Sequence, residues 1–398
     1  WTAGTFRSPA RSPMLFVTIV LDGAGVGDAP DAAAYGDAGA DTLGHVVRQQ
    51  RPALPHLTRW GLGHLVDGLE AAEAPAADWG RLTERAAGKD STTGHWALAG
   101  LVLETPFPTY PDGFPPDVIE AFCEQAGVEG VLGNVPASGT AIIADLGEEH
   151  VRTGRPIVYT SGDSVFQVAA HVDTIPLDDL YRMCQVARDA VCVGEHAVGR
   201  VIARPFTGAP GAYERLSAKR KDLSLLPPGP TVLDALRDGG VRTVCVGKIA
   251  ALFGGAGVDE EVKTAGNADG VAQTLDAIRA AAASGAPTFV WTNLVDFDEL
   301  FGHRNDAAGY AGALAAFDAA LPDLEAALPD GAVLLLTADH GNDPTYPGTD
   351  HTRERVPVLR YVKGRPVGTA LGTRDTFADH AATVAAFFGV EGGAGTAF

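Results

Sequence analysis

The sequence predicts an α/β protein whose core is a mostly parallel β-sheet, and two observations carry this prediction. Short, nearly continuous apolar segments rich in branched residues recur at 15–21, 288–295 and 332–337. Such segments are typical of strands that are buried on both faces of a parallel sheet. A long stretch with Leu and Ala at helical spacing, 307–327, lies between the last two. Open parallel sheets bind ligands beyond the carboxyl ends of their strands, so functional residues are expected there.

Two proline-rich stretches, 105–116 and 225–230, bracket the middle of the chain. Proline fixes the local backbone and ends helices, so such stretches often mark boundaries. Between them, helix-like runs alternate with strand-like runs, which predicts an inserted α+β cap domain of ordinary size. The predicted domains are 1–104 for the first part of the core, 105–224 for the cap and 225–398 for the second part of the core. Residues 1–13 are expected to be a tag or an extension.

The composition excludes several functional classes. In a chain of 398 residues, 46% are hydrophobic, yet no apolar run approaches the roughly 18 residues that a membrane helix needs. The formal net charge of −20 disfavours nucleic acid as a partner, because its phosphates would be repelled. Four widely spaced cysteines offer no disulfide framework, which favours a reducing, cytoplasmic location.

Acidic and imidazole side chains follow the three apolar segments. They are Asp22, Asp298, His303, Asp339, His340 and His351. Carboxylate and imidazole together suit Zn, Mn or Fe better than Ca, which prefers oxygen ligands. Three carboxylates and three imidazoles are enough ligands for two ions. The alternative is that the aspartates cap helices and that the histidines are ordinary surface or core residues.

A segment rich in hydroxyls supplies a candidate nucleophile. It reads Gly88-Lys89-Asp90-Ser91-Thr92-Thr93-Gly94-His95-Trp96. A hydroxyl held against a metal ion can become a nucleophile near neutral pH without a neighbouring His–Asp pair. The alternative is a helix N-cap followed by a helix.

These motifs together resemble those of the phosphopentomutases, which belong to the alkaline phosphatase superfamily. The resemblance extends from about residue 15 to about residue 390. The matching segments are 20–22, 88–96, 106–111, 159–167, 293–298, 302–304, 337–344 and 348–354. The resemblance implies an alkaline-phosphatase-like core that carries a cap.

The resemblance also implies roles for individual residues. Asp22, Asp339 and His340 correspond to ligands of one Mn²⁺, and Asp298, His303 and His351 to ligands of a second. The residues that correspond to sugar or phosphate contacts are Ser161, Asp163, Arg200, Ile202, Arg215 and Lys248. Arg200 could equally be a surface ion-pair partner.

The chain departs from the family pattern at three positions. Ser91 stands where the family has its nucleophilic threonine, Gly23 stands where serine is usual, and Ala97 stands where glutamate is usual. Serine keeps the hydroxyl and loses only a methyl group, so phosphorylation is still expected at Ser91.

The implied activity is the interconversion of pentose 1-phosphate and pentose 5-phosphate, of ribose or deoxyribose, in nucleoside metabolism. It would proceed through a phosphoenzyme and a sugar bisphosphate, with an activator such as ribose 1,5-bisphosphate or glucose 1,6-bisphosphate. The alternatives are a phosphatase or phosphodiesterase, a mutase paralogue for another sugar phosphate, and a non-catalytic sugar-phosphate binding protein. The protein is expected to be a monomer or a weak oligomer without a nucleic-acid or membrane partner.

Overall fold

The structure, a computed structural model, describes residues 14–161 and 164–398. The extension predicted at 1–13 and the predicted sugar contact Asp163 lie outside the described residues. The strands are β1 (Leu15–Leu21), β2 (Ala77–Leu82), β3 (Leu132–Pro136), β4 (Ile157–Thr160), β5 (Val165–His171), β6 (Arg200–Ala209), β7 (Ala212–Arg215), β8 (Lys221–Ser224), β9 (Arg242–Val246), β10 (Glu260–Val262), β11 (Thr288–Leu294), β12 (Val333–Thr337), β13 (Val356–Val362) and β14 (Ala370–Arg374).

Helices occur in both halves of the chain. They are α1 (Thr42–Gln50), α2 (Pro55–Trp60), α3 (Ser91–Leu98), α4 (Pro116–Ala126), α5 (Gly139–Thr153), α6 (Leu177–Val186), α7 (Val232–Asp238), α8 (Ile249–Leu252), α9 (Asn267–Ser284), α10 (Ala307–Ala327) and α11 (Ala378–Phe388). Short helical turns lie at Ala32–Tyr35, Leu62–His64, Ala187–Val191, Gly194–His196, Ser217–Lys219, Phe297–Phe301 and Gly302–Arg304. In the described part of the chain, no helix is both long enough and apolar enough to cross a membrane.

The described chain forms two compact units. The first contains residues 14–104, Pro227–Ala250 and Gly255–Phe398. The second contains Thr105–Leu226 and Ala251–Gly254. That 105–224 is a separately folding cap domain stays a prediction.

The first unit contains an eight-stranded sheet with the order β10-β9-β11-β1-β12-β13-β2-β14. Neighbouring strands from β10 to β12 are parallel, as are β2 and β14, whereas β13 is antiparallel to β12 and β2. Every residue of β1, β11 and β12 is buried. This is why their sequences are almost continuously apolar. The predicted α/β class with a mostly parallel sheet is confirmed.

The register of the central strands positions the site. Leu21 of β1 pairs with Leu294 of β11, and Val20 pairs with Thr337 of β12. The three strands therefore end at the same level, and the residues that follow them leave the sheet at one edge. This edge is the ligand-binding edge of open parallel sheets.

The second unit contains a six-stranded sheet in the order β3-β4-β5-β6-β7, with β8 paired to β6. One face packs against α4 and α6 through a buried cluster that includes Phe122, Phe166 and Leu180. The other face packs against α5 through a smaller cluster that includes Tyr159 and Phe206. On this face, β6 also carries the partly exposed polar side chains of Arg200 and Arg204.

His380 in α11 is a buried neutral imidazole of the first unit. Its Nδ1 lies 2.8 Å from the Leu98 carbonyl oxygen and its Nε2 lies 2.8 Å from Thr18 Oγ1. A carbonyl can only accept, so Nδ1 donates its proton and Nε2 accepts one from the hydroxyl. Burial lowers the pKa of His380 from 6.5 to about 4.

The lowered pKa predicts that His380 reduces stability in acid. Between pH 6.5 and about 4, the unfolded state binds a proton at this residue and the folded state does not. The free energy of unfolding should therefore fall as the pH falls through this window, by about 3 kcal/mol from this residue. The variant His380→Gln should lose much less stability between pH 7 and pH 4. Urea unfolding of both proteins in chelator measures the difference, and equal pH dependence would contradict the prediction.

Candidate metal centre and nucleophile

Two clusters of potential metal ligands lie in the first unit. In one, Asp298, His303 and His351 place one ligand atom each within 4.8 Å of the others. In the second, Asp22, Asp298 and His340 do the same. Asp298 belongs to both clusters, so the two groups form one continuous patch of donors beyond the carboxyl ends of β1, β11 and β12.

The first cluster is built on the short helical turns after β11. His303 Nε2 lies 3.3 Å from Asp298 Oδ2, and His351 Nε2 lies 3.4 Å from Asp298 Oδ1. The other ring nitrogen of His303 lies 2.7 Å from the Thr349 carbonyl oxygen and donates to it, which directs Nε2 towards the carboxylate. Burial would raise the pKa of Asp298, but His351 and His303 hold it well below its usual range.

The second cluster contains two buried carboxylates and one imidazole. His340 Nε2 lies 3.5 Å from Asp22 Oδ1 and 3.3 Å from Asp339 Oδ2. Burial raises the pKa of Asp22 well above its usual range, and the nearby Asp339 raises it further. Burial also lowers the pKa of His340 to about 3, so its imidazole is neutral and able to bind a cation.

The donors fit two divalent cations. Asp22, Asp298 and Asp339 are all at most 5% exposed, and burying three carboxylates together is costly unless cations compensate them. Asp22 Oδ1 is buried and accepts no hydrogen bond from any described residue. Such an orphaned oxygen is expected where a ligand is missing. A mixed set of carboxylates and neutral imidazoles suits Mn, Fe or Zn.

The hydroxyl-rich segment is the start of a helix. Asp90 caps α3, since its side chain accepts hydrogen bonds from the Thr92 and Thr93 amides at 3.0 and 3.1 Å. Ser91 is the first residue of α3, so the start of a helix presents its hydroxyl. Helix capping and a position at the metal donors occur together here and are not alternatives.

Ser91 is the hydroxyl that reaches the donors. Its Oγ lies 3.2 Å from His340 Nε2 and accepts a hydrogen bond of 2.8 Å from Lys248 Nζ. The hydroxyl of Thr93 is used within the cap, where it donates to Asp90 Oδ2 at 2.5 Å. Ser91 Oγ therefore lies beside the donors, whereas the Thr93 hydroxyl is engaged by Asp90.

Close packing of α3 against the donors depends on Gly94. A Cβ atom at this position would lie 2.0 Å from the Asp339 carbonyl oxygen. This distance is too short for any side chain, so only glycine fits here. The glycine therefore lets the helix contact the backbone that carries Asp339, and this contact fixes Ser91 beside His340.

Lys248 lies against Ser91. Its Nζ is 2.5 Å from Asp22 Oδ2 as well as 2.8 Å from Ser91 Oγ. Burial would lower the pKa of Lys248, but Asp22 and Asp339 raise it, so the ammonium stays charged.

The other predicted sugar contacts belong to the second unit. Ser161 follows β4, and Ile202 is a buried residue of β6. Arg200 begins β6 with its Nη1 3.7 Å from Asp222 Oδ2, and Arg215 ends β7 with an exposed side chain.

Two residues that support the cluster had no role assigned from the sequence. His95 Nδ1 lies 3.1 Å from Asp339 Oδ2, and Asn342 Nδ2 donates to Asp298 Oδ1 at 2.6 Å. His95 lies four residues after Ser91, on the same face of α3, and this spacing was the available signal. Asn342 follows His340 by two residues in a motif that was noted but not interpreted at this position.

Comparisons with known proteins agree with this donor set. The Metalloenzyme superfamily matches residues 14–392. The phosphopentomutase of Anaeromyxobacter sp. (strain K) is 55% identical over 388 residues, which are 96% of this chain and 97% of the relative. The phosphopentomutase of Caldanaerobacter subterraneus subsp. tengcongensis is 52% identical over 376 residues, which are 94% of each chain.

The chain belongs to the phosphopentomutase family. The resemblance inferred from the motifs is confirmed, and the protein is an enzyme of this family. Of the donors predicted for this phosphopentomutase family member, Asp22, Asp298, His303, His340 and His351 lie in the two clusters, and Asp339 lies against His340. Gly23, a departure from the family pattern, has a φ of 73°, and a Cβ there would lie 2.9 Å from Asn342 Cβ. A left-handed backbone so close to a side chain favours glycine.

Proposed function

We propose that the protein interconverts pentose 1-phosphate and pentose 5-phosphate, of ribose or deoxyribose, through a phosphoserine and a sugar bisphosphate. The observation that carries this proposal is the position of Ser91 Oγ, 3.2 Å from His340 Nε2 and beside a continuous set of carboxylate and imidazole donors. High identity to phosphopentomutases over nearly the whole chain supports the same activity.

We propose that Asp22, Asp339 and His340 hold one Mn²⁺ ion and that Asp298, His303 and His351 hold the other. When bound, such a pair of ions neutralises charge on a transferring phosphoryl group and favours the ionised hydroxyl of a nucleophile. Asn342 acts through the donors, because its hydrogen bond fixes the carboxylate of Asp298. His95 Nδ1 donates to the Ser91 carbonyl oxygen at 2.8 Å and lies 3.1 Å from Asp339 Oδ2, so it connects the start of α3 with this donor.

Ser91 carries the phosphoryl group between the two ends of the sugar. Starting from the phosphoserine, the free hydroxyl of the sugar phosphate gives up its proton and forms a bond to phosphorus while the bond from phosphorus to Ser91 Oγ breaks, so that Ser91 regains its proton and a sugar bisphosphate forms. In the return step, Ser91 Oγ loses its proton and bonds to the phosphorus at the other end of the bisphosphate while the bond to the sugar oxygen breaks, and that oxygen takes up a proton. The Lys248 ammonium, which donates to Ser91 Oγ at 2.8 Å, stabilises negative charge at this oxygen.

The sugar phosphate contacts remain those implied by the resemblance, namely Ser161, Asp163, Arg200, Ile202, Arg215 and Lys248. A catalytic amount of a sugar bisphosphate, such as ribose 1,5-bisphosphate or glucose 1,6-bisphosphate, would phosphorylate Ser91 and start turnover. We also propose a cytoplasmic location, which the four free thiols support. A monomer or weak oligomer remains the expected state.

A second candidate is a mutase for a different sugar phosphate. The serine in place of threonine at position 91 favours it, because the smaller side chain changes the space beside the transferring group.

An assay with purified enzyme, Mn²⁺, a bisphosphate primer and a panel of pentose and hexose phosphates tests the proposal. We expect ribose 5-phosphate to form from ribose 1-phosphate with little release of inorganic phosphate, and chelation of the metal to stop the reaction. Phosphate release that matches substrate consumption would identify a phosphatase instead. Turnover of hexose phosphates alone would identify the second candidate.

A further inference from the structure

Both imidazole donors of the first cluster depend on one irregular segment, residues 345–351. His351 is the last residue of this segment, and the Thr349 carbonyl oxygen within it accepts the 2.7 Å hydrogen bond that orients His303. The six residues before His351 contain neither helix nor strand, and five of them are exposed. Ordering such a segment costs conformational entropy. Contacts from other parts of the chain must therefore hold it, or the two imidazoles would not stay in place.

Lys89 holds this segment through an ion pair with Asp350. The Lys89 Nζ lies 3.2 Å from Asp350 Oδ2, and the other oxygen of this carboxylate accepts from the His351 amide at 2.9 Å. Asp350 thus connects the lysine directly to the backbone of a predicted metal ligand. Because Asp350 is largely exposed, its ion pair would contribute little if the lysine were free to move.

The lysine is not free to move, because a buried carboxylate fixes it. The Lys89 Nζ lies 3.3 and 3.0 Å from the two oxygens of Asp37, whose side chain is only 8% exposed. Asp37 Oδ2 also accepts from the Arg353 amide at 2.9 Å, so the main chain that follows His351 holds this carboxylate in turn. A lysine held in this way loses little further side-chain entropy when it pairs with Asp350.

The segment 345–351 has a second anchor beside the first. The Tyr346 hydroxyl lies 3.0 Å from the carbonyl oxygens of both Gly36 and Ala38, and it can donate to either of them. These two residues flank the aspartate that fixes Lys89. One turn of the chain therefore holds the segment at two points, directly through the tyrosine and indirectly through the lysine.

We infer that Lys89 is a positioning residue that orders the segment 345–351 and thereby sets the affinity of the first cluster for its cation. It acts through Asp350 on the backbone that carries His351 and the Thr349 carbonyl group, and not as a ligand. The ligand roles of His303 and His351 come from the proposed function, on which the inference therefore rests.

A simple effect of charge predicts the opposite result. An ammonium group near a bound cation repels it, so removal of the lysine without any loss of order would strengthen cation binding. Removal of a positioning residue would weaken cation binding instead, because the imidazoles would no longer be held in place. The direction of the change in affinity therefore separates the two roles.

Three substitutions and one control test the role of the lysine. Lys89→Met removes the ammonium group at similar length, and Lys89→Arg keeps a positive charge that can pair with both carboxylates. Asp350→Asn keeps an oxygen for the His351 amide and removes the ion pair. Lys363→Met is the matched control, because Lys363 follows β13 beside the start of β12, at the sheet edge opposite to the donors. Circular dichroism would verify that each variant is folded.

The first readout is hydrogen exchange of residues 345–352 in full-length protein, measured by mass spectrometry in chelator so that no cation orders the segment. We expect at least about threefold faster exchange in Lys89→Met and in Asp350→Asn, as for the loss of an ion pair. Lys89→Arg and Lys363→Met should exchange as the parent does. Unchanged exchange in both folded variants, Lys89→Met and Asp350→Asn, would overturn the inference.

The second readout is the affinity of the full-length protein for Mn²⁺, measured calorimetrically. We expect Lys89→Met to weaken one of two ions by about tenfold and to leave the other unchanged, as for the loss of a residue that orients a metal ligand. The double variant with Asp350→Asn should bind no more weakly than the weaker single variant, because the two residues form one link. Lys89→Arg and Lys363→Met should bind as the parent does.

Tighter or unchanged Mn²⁺ binding by Lys89→Met would overturn the inference, since the lysine would then act only through its charge or not at all. Equal weakening of both ions would also overturn it, because the effect would not be specific to the first cluster. If the parent binds no second ion, the metal assignment of the proposed function fails, and faster exchange in Lys89→Met would still establish that the lysine orders the segment.

Discussion

Replacing Ser91 with alanine is expected to abolish mutase turnover, with a fall in kcat of at least about a thousandfold, as for other removed nucleophiles. The Ser91 Oγ is the hydroxyl that lies 3.2 Å from His340 Nε2 and accepts from Lys248 Nζ. The side chain is small and begins a helix whose cap is supplied by Asp90, so its loss should leave the fold intact.

The matched variant Ser91→Thr should retain much of the activity, because threonine is the usual residue at this position in the family and keeps the hydroxyl. The control Thr92→Val removes a neighbouring hydroxyl at nearly constant shape and should remain active. Mass spectrometry after incubation with a sugar bisphosphate should find phosphate on Ser91 of the parent, on the introduced threonine of Ser91→Thr, and nowhere in this segment of Ser91→Ala. Phosphate on Thr92 or Thr93, or an active Ser91→Ala enzyme, would contradict the assignment.

The sequence was sufficient to predict that Asp22, Asp298 and Asp339 lie close together. Each follows an apolar segment of the length and composition of a buried parallel strand, and parallel strands bring their carboxyl ends to one edge. The structure has β1 between β11 and β12, with their last residues in register. Local sequence was sufficient here because one physical requirement, burial of both sheet faces, determines both the strand pattern and the location of its end.

The contacts that support the site were not predictable in the same way. The approach of His95 to Asp339 depends on Gly94, whose missing side chain lets α3 touch the Asp339 carbonyl. The start of α5 depends likewise on Gly139, which lies against Tyr159 of a strand that follows the helix. A glycine that permits close packing between distant segments has no local pattern, so only tertiary structure reveals its partner.

The structure of the hydroxyl-rich segment could be predicted only in part from the sequence. Asp90 followed by Ser91, Thr92 and Thr93 is a good helix N-cap sequence, and it is also a segment that can present a reactive hydroxyl. The structure has both features, because α3 begins at Ser91 and the helix start faces His340. The sequence could not show this combination, since the direction of a helix relative to a sheet is fixed by packing.

The variant Asp339→Asn should lose one of the two bound metal ions and reduce turnover by at least about a thousandfold, since the pair of ions acts as a unit on the phosphoryl group. Asparagine has nearly the same shape as aspartate, and its amide oxygen can still accept the hydrogen bond of 3.2 Å from the Gly23 amide. The substitution therefore removes the negative charge of the ligand and leaves the packing unchanged, so any loss of metal binding and turnover is due to the charge.

The environment of Asp339 explains why this charge matters. Burial would raise its pKa, but His340 and His95 hold the pKa well below the usual range, so the carboxylate is ionised near neutral pH. An uncharged amide at position 339 would still lie against His340 Nε2 and His95 Nδ1. It could not neutralise the positive charge of a bound cation. Removing a ligand charge from a buried site weakens metal binding much more than removing one from the surface.

Metal analysis by mass spectrometry, circular dichroism and the mutase assay together test the prediction for Asp339→Asn. Asp306→Asn is the matched control, because Asp306 caps α10 by accepting from the Gly309 amide and asparagine can cap as well. The control should bind two ions per chain and turn over as the parent does. A folded Asp339→Asn enzyme that binds two ions at the parent's affinity would show that Asp339 is not a ligand. A variant that binds one ion but keeps full activity would show that the second ion has no part in phosphoryl transfer.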